Sequence, residues 1–334
     1  MKSNRKKSKV DSTIPNKIAD LIRQSKSVLI TSHEDPDGDS LGSQLAVRRF
    51  LRAYKLEGSI VNQGKIPFKY MFLPDIDLVN DAANFEKSAE FDLAVVLERP
   101  NIERNGKVSR LIGKATKIIN IDHHPDNSGF GDLIWVDPKA SSVGEMLFEL
   151  FDTLGAAIDT EMATQIYTAI LTDTGRFRFR STSRRTMEIA GRLIELGANS
   201  REICDQVYYS YPPSTIKLIG HVLSRVNFYA DGRICLLQLD RKALEESRAG
   251  LGDVDGLADY TLYGKDVKVG GLLKELDDNL TKVSLRSRDQ IDVSRLAHKY
   301  GGGGHYNAAG FAVKLPIIEA EQKLLQDLEG MLNG

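Results

Sequence analysis

The hydrophobic positions alternate between two kinds of run. Ile14 to Gln24 reads as a short helix, and Ser27–Thr31 (SVLIT) as a buried strand by its length and β-branched content. That strand runs into SHEDPDGDS, a turn rich in acids, proline and glycine. Ser40–Lys55 then places Leu41, Leu45, Val47, Phe50, Leu51 and Tyr54 at helical spacing. Phe91–Leu97 (FDLAVVL) predicts a second buried strand ending at Glu98, and Thr116–Ile121 (TKIINI) a third ending at Asp122-His123-His124. Glu145–Leu154, Glu161–Leu171 and Thr186–Leu196 read as helices, the last closed by Gly197. Strands alternating with helices imply an α/β fold with a doubly wound, mostly parallel sheet. Ligands of such sheets sit beyond the carboxyl ends of the strands. Three strands here deliver acids or histidines to that edge.

Downstream the pattern changes. Ser200–Val226 is helical but interrupted by Pro212-Pro213, which predicts a linker between domains. From Phe228 a smaller α/β unit follows, with strands near Ile234–Leu239, Val267–Leu273 and Lys282–Arg286, a helix over Asp292–Tyr300, and GGGGHYNAAGF. The expected organisation is a disordered basic tail over 1–16, a metal-binding domain over 17–199, a helical linker over 200–227 and a substrate domain over 228–334. A length of 334 residues fits two domains.

Composition narrows the function. A formal net charge of -1 excludes a uniformly basic nucleic-acid coat but not a local groove. Cys204 and Cys235 lie far apart with no CxxC, so neither a disulfide framework nor a cysteine zinc site is expected. The apolar runs are too short to span a bilayer, and no apolar signal core follows the basic MKSNRKKSKV start. A cytoplasmic protein with no membrane partner is the expectation.

The candidate chemistry is a set of residues whose meaning comes from their combination. His33, Asp37 and Asp39 cluster around the Pro-Asp-Gly turn, and oxygen with imidazole donors suits manganese or a similar octahedral ion. An EF-hand loop is a poor match, because its ligand pattern ending in Glu is absent. Glu98 ends one strand, His123 and His124 follow another, and Asp173 ends a helix in LTDTG. His33, Asp37, Asp39, Glu98, His123 and Asp173 together supply four carboxylates and two imidazoles, enough to balance two divalent cations. A metal pair can clamp the attacking and leaving oxygens of an in-line displacement at phosphorus, with a bridging hydroxide as nucleophile. Asp122 is placed to fix the histidines from outside the ligand shell, and Asp35 either joins it there or is simply solvated. In the second unit, Arg286 offers a phosphate fork, Gly301–Gly304 leave backbone N–H groups open to a phosphate, and His305 can donate to one. Neither GxGxxG nor GK[ST] is present, which disfavours a Rossmann or P-loop site.

SHEDPDGDSLGS, DLAVVLERPNIER, IINIDHHPDN, WVDPKASSVGEM, ILTDTGRFRF, VSLRSR and KYGGGGHYNAAGF occur in an order and spacing that resembles the DHH phosphoesterase family with its DHH-associated C-terminal domain. The resemblance runs from about Lys17 to about Leu332 and is nearest to the stand-alone nanoRNase and pAp phosphatase group. It implies two manganese ions: His33 and Asp37 on one, Asp39, His123 and Asp173 on the other, residue 98 bridging. It further implies His124 at the scissile phosphate, and Arg286, Ser287, the Gly302-Gly303-Gly304 turn and His305 on the substrate from the second domain, across a cleft. The implied reactions are hydrolysis of short RNA to nucleoside 5′-monophosphates and removal of the 3′-phosphate from pAp, by a homodimer. One departure stands out: the bridging position is usually Asp and here is Glu98. A phosphodiesterase for cyclic or linear dinucleotides, a nucleotide-binding regulator with a weakened metal site, and a family II pyrophosphatase-like enzyme stay open as alternatives.

Overall fold

The structure, a computed structural model, describes residues 13–86, 90–101, 106–249, 256–288 and 290–333. The chain divides into two compact units, one ending at Ser210 and one beginning at Tyr211. Most of the basic stretch expected as a tail lies outside the described residues, and helix has already begun at Thr13.

The first unit is built on six parallel strands: β1 Val28–Thr31, β2 Gly58–Asn62, β3 Val79–Asp81, β4 Leu93–Leu97, β5 Lys117–Asp122 and β6 Leu133–Val136. Their spatial order is β3-β2-β1-β4-β5-β6. The chain winds outward in one direction from β1 and in the other from β4, so the topological switch point lies between these two strands. Both are buried along their whole length, as a parallel sheet covered on both faces requires. Val28, Ile30, Leu93, Val95 and Leu97 face the larger core, and Leu29, Ala94 and Val96 a smaller one on the opposite side. The helices are α1 Thr13–Gln24, α2 Gly38–Arg52, α3 Val143–Thr153, α4 Thr160–Asp173, α5 Arg184–Glu195 and α6 Ser200–Tyr208.

α2 starts two residues before the periodicity predicts, because the Asp37 side chain accepts from the Ser40 N–H and caps it. α3 likewise starts at Val143, capped by Ser142. α2 and α4 cross so closely that a Cβ on Gly42 would lie 2.3 Å from the Gln165 carbonyl oxygen. Backbone cannot yield there as a flexible side chain would. Gly42→Ala is therefore expected to destabilise the fold by about 1–3 kcal/mol or more, read from the urea midpoint. A neutral result would mean that this crossing is loose.

The second unit holds α7 Pro213–Leu223, α8 Arg241–Ser247, α9 Leu257–Tyr260, α10 Val293–Lys299 and α11 Ile317–Asn333. Its strands are β7 Asn227–Tyr229, β8 Ile234–Leu239, β9 Val269–Asp277, β10 Leu280–Ser287, β11 Gly303–His305 and β12 Ala308–Val313, ordered β11-β12-β10-β9-β8-β7. Only the β8–β9 pair is parallel. The segment read as a linker divides between the cores: α6 buries Ile203 and Val207 in the first unit, α7 buries Leu218 and Val222 in the second. The glycine run is not a turn throughout. Gly301 turns at φ 73°, while Gly303–His305 forms β11 against β12. Among the described residues no helix is long and apolar enough to cross a membrane.

Candidate metal centre

The segments just past β1, β4 and β5, the N-cap and first turn of α2 and the last turn of α4 carry the six candidate ligands, which gather into two groups. His33, Asp37 and Glu98 offer ligand atoms all within 4.8 Å of one another, and so do Asp39, His123 and Asp173. In the first group His33 Nε2 is 3.3 Å from Glu98 and 3.9 Å from Asp37. Within that distance Glu98 groups with His33 and Asp37. Its backbone is left-handed at φ 50° directly after β4, while its N–H donates to Ile121 on the neighbouring strand. A β4 that simply continued would not make this turn, and such strain concentrates at functional positions.

In the second group His123 Nε2 is 3.3 Å from Asp173 and 4.0 Å from Asp39. Asp39 is fully buried and accepts from the Val143 N–H at 2.7 Å, the Gly144 N–H at 2.9 Å and the Ser43 hydroxyl at 3.0 Å. The first turn of α3 therefore aims this carboxylate, with its positive dipole end toward the charge.

Both histidines are set as metal ligands would be. His33 Nδ1 lies 2.6 Å from the Glu34 carbonyl oxygen, and His123 Nδ1 3.2 Å from that of Ala140. A carbonyl oxygen only accepts, so each Nδ1 carries a proton and each Nε2 faces the carboxylates, where a bound cation would take its lone pair in place of a second proton. His124 differs: its Nδ1 lies 2.7 Å from Asp122, which also accepts from the His123 and His124 backbone N–H groups. Asp35 is exposed and solvated.

In the second unit Arg286 Nε donates to Asp259 at 2.7 Å. The Ser287 hydroxyl donates to the Ile291 carbonyl oxygen and accepts from the Asn307 amide. A Cβ on Gly302 would lie 2.1 Å from the Gly310 carbonyl oxygen, and one on Gly304 2.6 Å from that of Ala308. These glycines are thus required by the close approach to β12, whatever else they do. His305 closes β11 opposite Ala308 and is partly exposed.

Residues 27–170 match the DHH family, N-terminal domain, and residues 237–334 the DHHA1 domain. The bifunctional oligoribonuclease and PAP phosphatase NrnA of Thermus thermophilus is 34% identical over 303 residues, covering 90% of this chain and 88% of that protein. The chain belongs to the DHH family. The protein of the same name from Bacillus subtilis is 30% identical, over 90% of this chain and 93% of the relative. A solved exopolyphosphatase-related protein from Bacteroides fragilis superposes with a TM-score of 0.90 at 28% identity, covering 97% of this chain and 98% of that one.

The charge balance of this DHH centre matches its donor set. Burial pushes Asp39 up to about 7, helped by Asp173, and pushes Asp173 up to about 8, helped by Asp37. Glu98 rises well above the usual carboxylate range through burial and Asp37. Three acids crowded out of water resist ionising together unless cations join them. Burial works to lower His33, but the Glu98 carboxylate overrides it and lifts it to about 10. His124 is likewise depressed by burial yet raised to about 9 by its hydrogen bond to Asp122. Burial opposes ionisation of Asp37, but His33 and the Ser40 donors hold it below the usual range.

Several supporting residues of the DHH centre were not singled out by sequence reasoning. The Ser40 hydroxyl sits between His33 Nε2 and Glu98 and donates to the Glu98 carboxylate. Arg99, buried, donates to the carbonyl oxygens of Ser32 and Asn101 and ties the turn after Glu98 to the end of β1. The Asn127 amide donates to Asp122 at 2.6 Å. The only advance signal was adjacency to the motifs, since Ser40, Arg99 and Asn127 all fall within the DHH-like stretches.

Proposed function

We propose that this protein is a manganese-dependent phosphoester hydrolase acting on short oligoribonucleotides and on 3′-phosphoadenosine 5′-phosphate. The observation that carries the reading is the pair of His–carboxylate groups at the switch point of the parallel sheet. His33, Asp37 and Glu98 would hold one ion, and Asp39, His123 and Asp173 the other. Bound there, two divalent cations supply charge neutralisation at phosphorus and an activated water at neutral pH. The chain's own part is positioning. The Glu34 and Ala140 carbonyls fix the tautomers of His33 and His123, and α3 holds Asp39. His124, pinned through Nδ1 to Asp122, would as an imidazolium offer its Nε2–H to a phosphate oxygen and stabilise charge developing in the transition state. Arg286, Ser287, Gly302, Gly303, Gly304 and His305 are proposed as the substrate contacts of the second unit.

The substrate class is supported by the NrnA relatives, which match at 34% and 30% identity over about nine-tenths of this chain. The two substrates need one chemistry, because both reactions break a bond between phosphorus and a 3′ oxygen. A near-neutral net charge also suits short substrates better than long strands, which want an extended basic groove. We place the enzyme in the cytoplasm as a homodimer. The deciding experiment is product analysis with pAp, a diribonucleotide, cyclic-di-AMP and pyrophosphate, each with and without manganese. Manganese-dependent formation of AMP from pAp and of nucleoside monophosphates from the dinucleotide is expected. Turnover confined to the cyclic dinucleotide or to pyrophosphate, or absent throughout, would overturn the assignment.

A further inference from the structure

One short segment aims two of the three ligands in the Asp39 group. It runs from Asp137, just past β6, to Gly144 in the first turn of α3. Its Ala140 carbonyl receives His123 Nδ1–H, and its Val143 and Gly144 N–H groups hold the two oxygens of Asp39. A shift of this segment would turn a histidine and a carboxylate together.

One guanidinium lies against both ends of the segment, hydrogen-bonded to Asp137 and paired by charge alone with Glu145. Arg185, in the first turn of α5, places Nη1 3.0 Å from Asp137, Nε 3.1 Å from Glu145 and Nη2 2.6 Å from Glu149. Glu145 is completely buried, and its other oxygen accepts from the hydroxyls of Ser141 at 2.7 Å and Thr186 at 2.6 Å. Neither Glu145 nor Arg185 belongs to either ligand group. Only Glu145 of this pair is buried, Arg185 being partly exposed, and such an ion pair adds little net stability over an apolar replacement, so stability alone explains this cluster poorly. Its fixed directions are what an apolar pair could not reproduce.

We propose that Glu145 and Arg185 are positioning residues for the Asp39–His123–Asp173 half-site, acting by locking the Asp137–Gly144 segment. The inference rests on the metal-centre reading above and assigns a means of tuning one of its two ions.

The test is calorimetric titration of manganese into metal-free wild type, Glu145→Gln and Arg185→Lys, with kinetics on the dinucleotide at limiting and excess manganese. Glu145→Gln keeps the shape but gives up the charge, and Arg185→Lys keeps the charge but cannot span three carboxylates. Each variant is expected to weaken one of two manganese sites by about 10–100-fold and leave the other unchanged, the usual effect of disturbing groups behind a ligand. Activity should fall at limiting manganese and recover in excess. Wild-type binding of both ions in either folded variant, even with a lowered melting temperature, would overturn the proposal and leave the metal-centre reading standing. Failure of the wild type to bind two ions would instead overturn the reading beneath it.

Discussion

Asp39→Ala is expected to abolish manganese-dependent hydrolysis, with kcat falling by at least about 10³-fold, on the scale of removing a member of a catalytic unit. No other acid can take its place. Asp39 is fully buried, both its oxygens are engaged by the first turn of α3, and the remaining members of its group, His123 and Asp173, come from other elements. The alanine variant also leaves the Val143 and Gly144 N–H groups without their acceptor, which invites local rearrangement of α3. Asp39→Asn separates the two effects. It keeps one acceptor oxygen and nearly the same volume while removing the charge. Manganese titration of Asp39→Asn should show one site lost and the other retained, with activity as low as in Asp39→Ala. Wild-type kcat in Asp39→Asn would show that the centre does not need this carboxylate as an anion.

The parts of this site legible in the sequence are those that strand ends dictate. SVLIT, FDLAVVL and TKIINI are apolar enough to be buried strands, and the residues just past each must lie at the carboxyl edge of a parallel sheet. That logic brought His33, Glu98 and His123 to one edge. It was blind to β2, β3 and β6, and to helix starts set by side-chain caps rather than periodicity. It was also blind to direction. Nothing in LERPN says that Glu98 turns left-handed. The glycine run shows the opposite limit. Its composition suggested an open phosphate cradle, whereas contact with β12 already demands glycine at 302 and 304. The Glu145–Arg185 clamp is invisible in one dimension, because its partners at Asp137, Ser141, Glu149 and Thr186 meet only when α3 and α5 pack.

Removing divalent metal is expected to make the protein both less stable and more sensitive to alkali. The folded metal-free centre holds protons that the unfolded chain gives up. Asp39 and Asp173 titrate at about 7 and about 8 in the fold against 3.8 unfolded, so their burial penalises the native state increasingly as pH rises from about 4 to about 8. His33 and His124, raised to about 10 and about 9 from 6.5, contribute stability that is complete below pH 6.5 and is lost as pH climbs through those values. Asp37, Asp122 and His123 are shifted downward and act with the opposite sign, but their contributions are complete once pH exceeds their unfolded values of 3.8 and 6.5. Between pH 6.5 and about 9 the raised groups therefore act together, and the melting temperature in chelator should fall across that window. Manganese meets the same carboxylates with fixed positive charge. At about 100 times its dissociation constant each ion contributes about 2.7 kcal/mol, so two should raise the melting temperature by on the order of 10–20 °C and flatten its pH dependence. Differential scanning calorimetry at three pH values, with chelator and with manganese, measures both effects. A metal-free melting temperature that climbs from pH 6.5 to 9, or one that manganese leaves unmoved, would mean that these buried acids are balanced from within the chain and hold no ions.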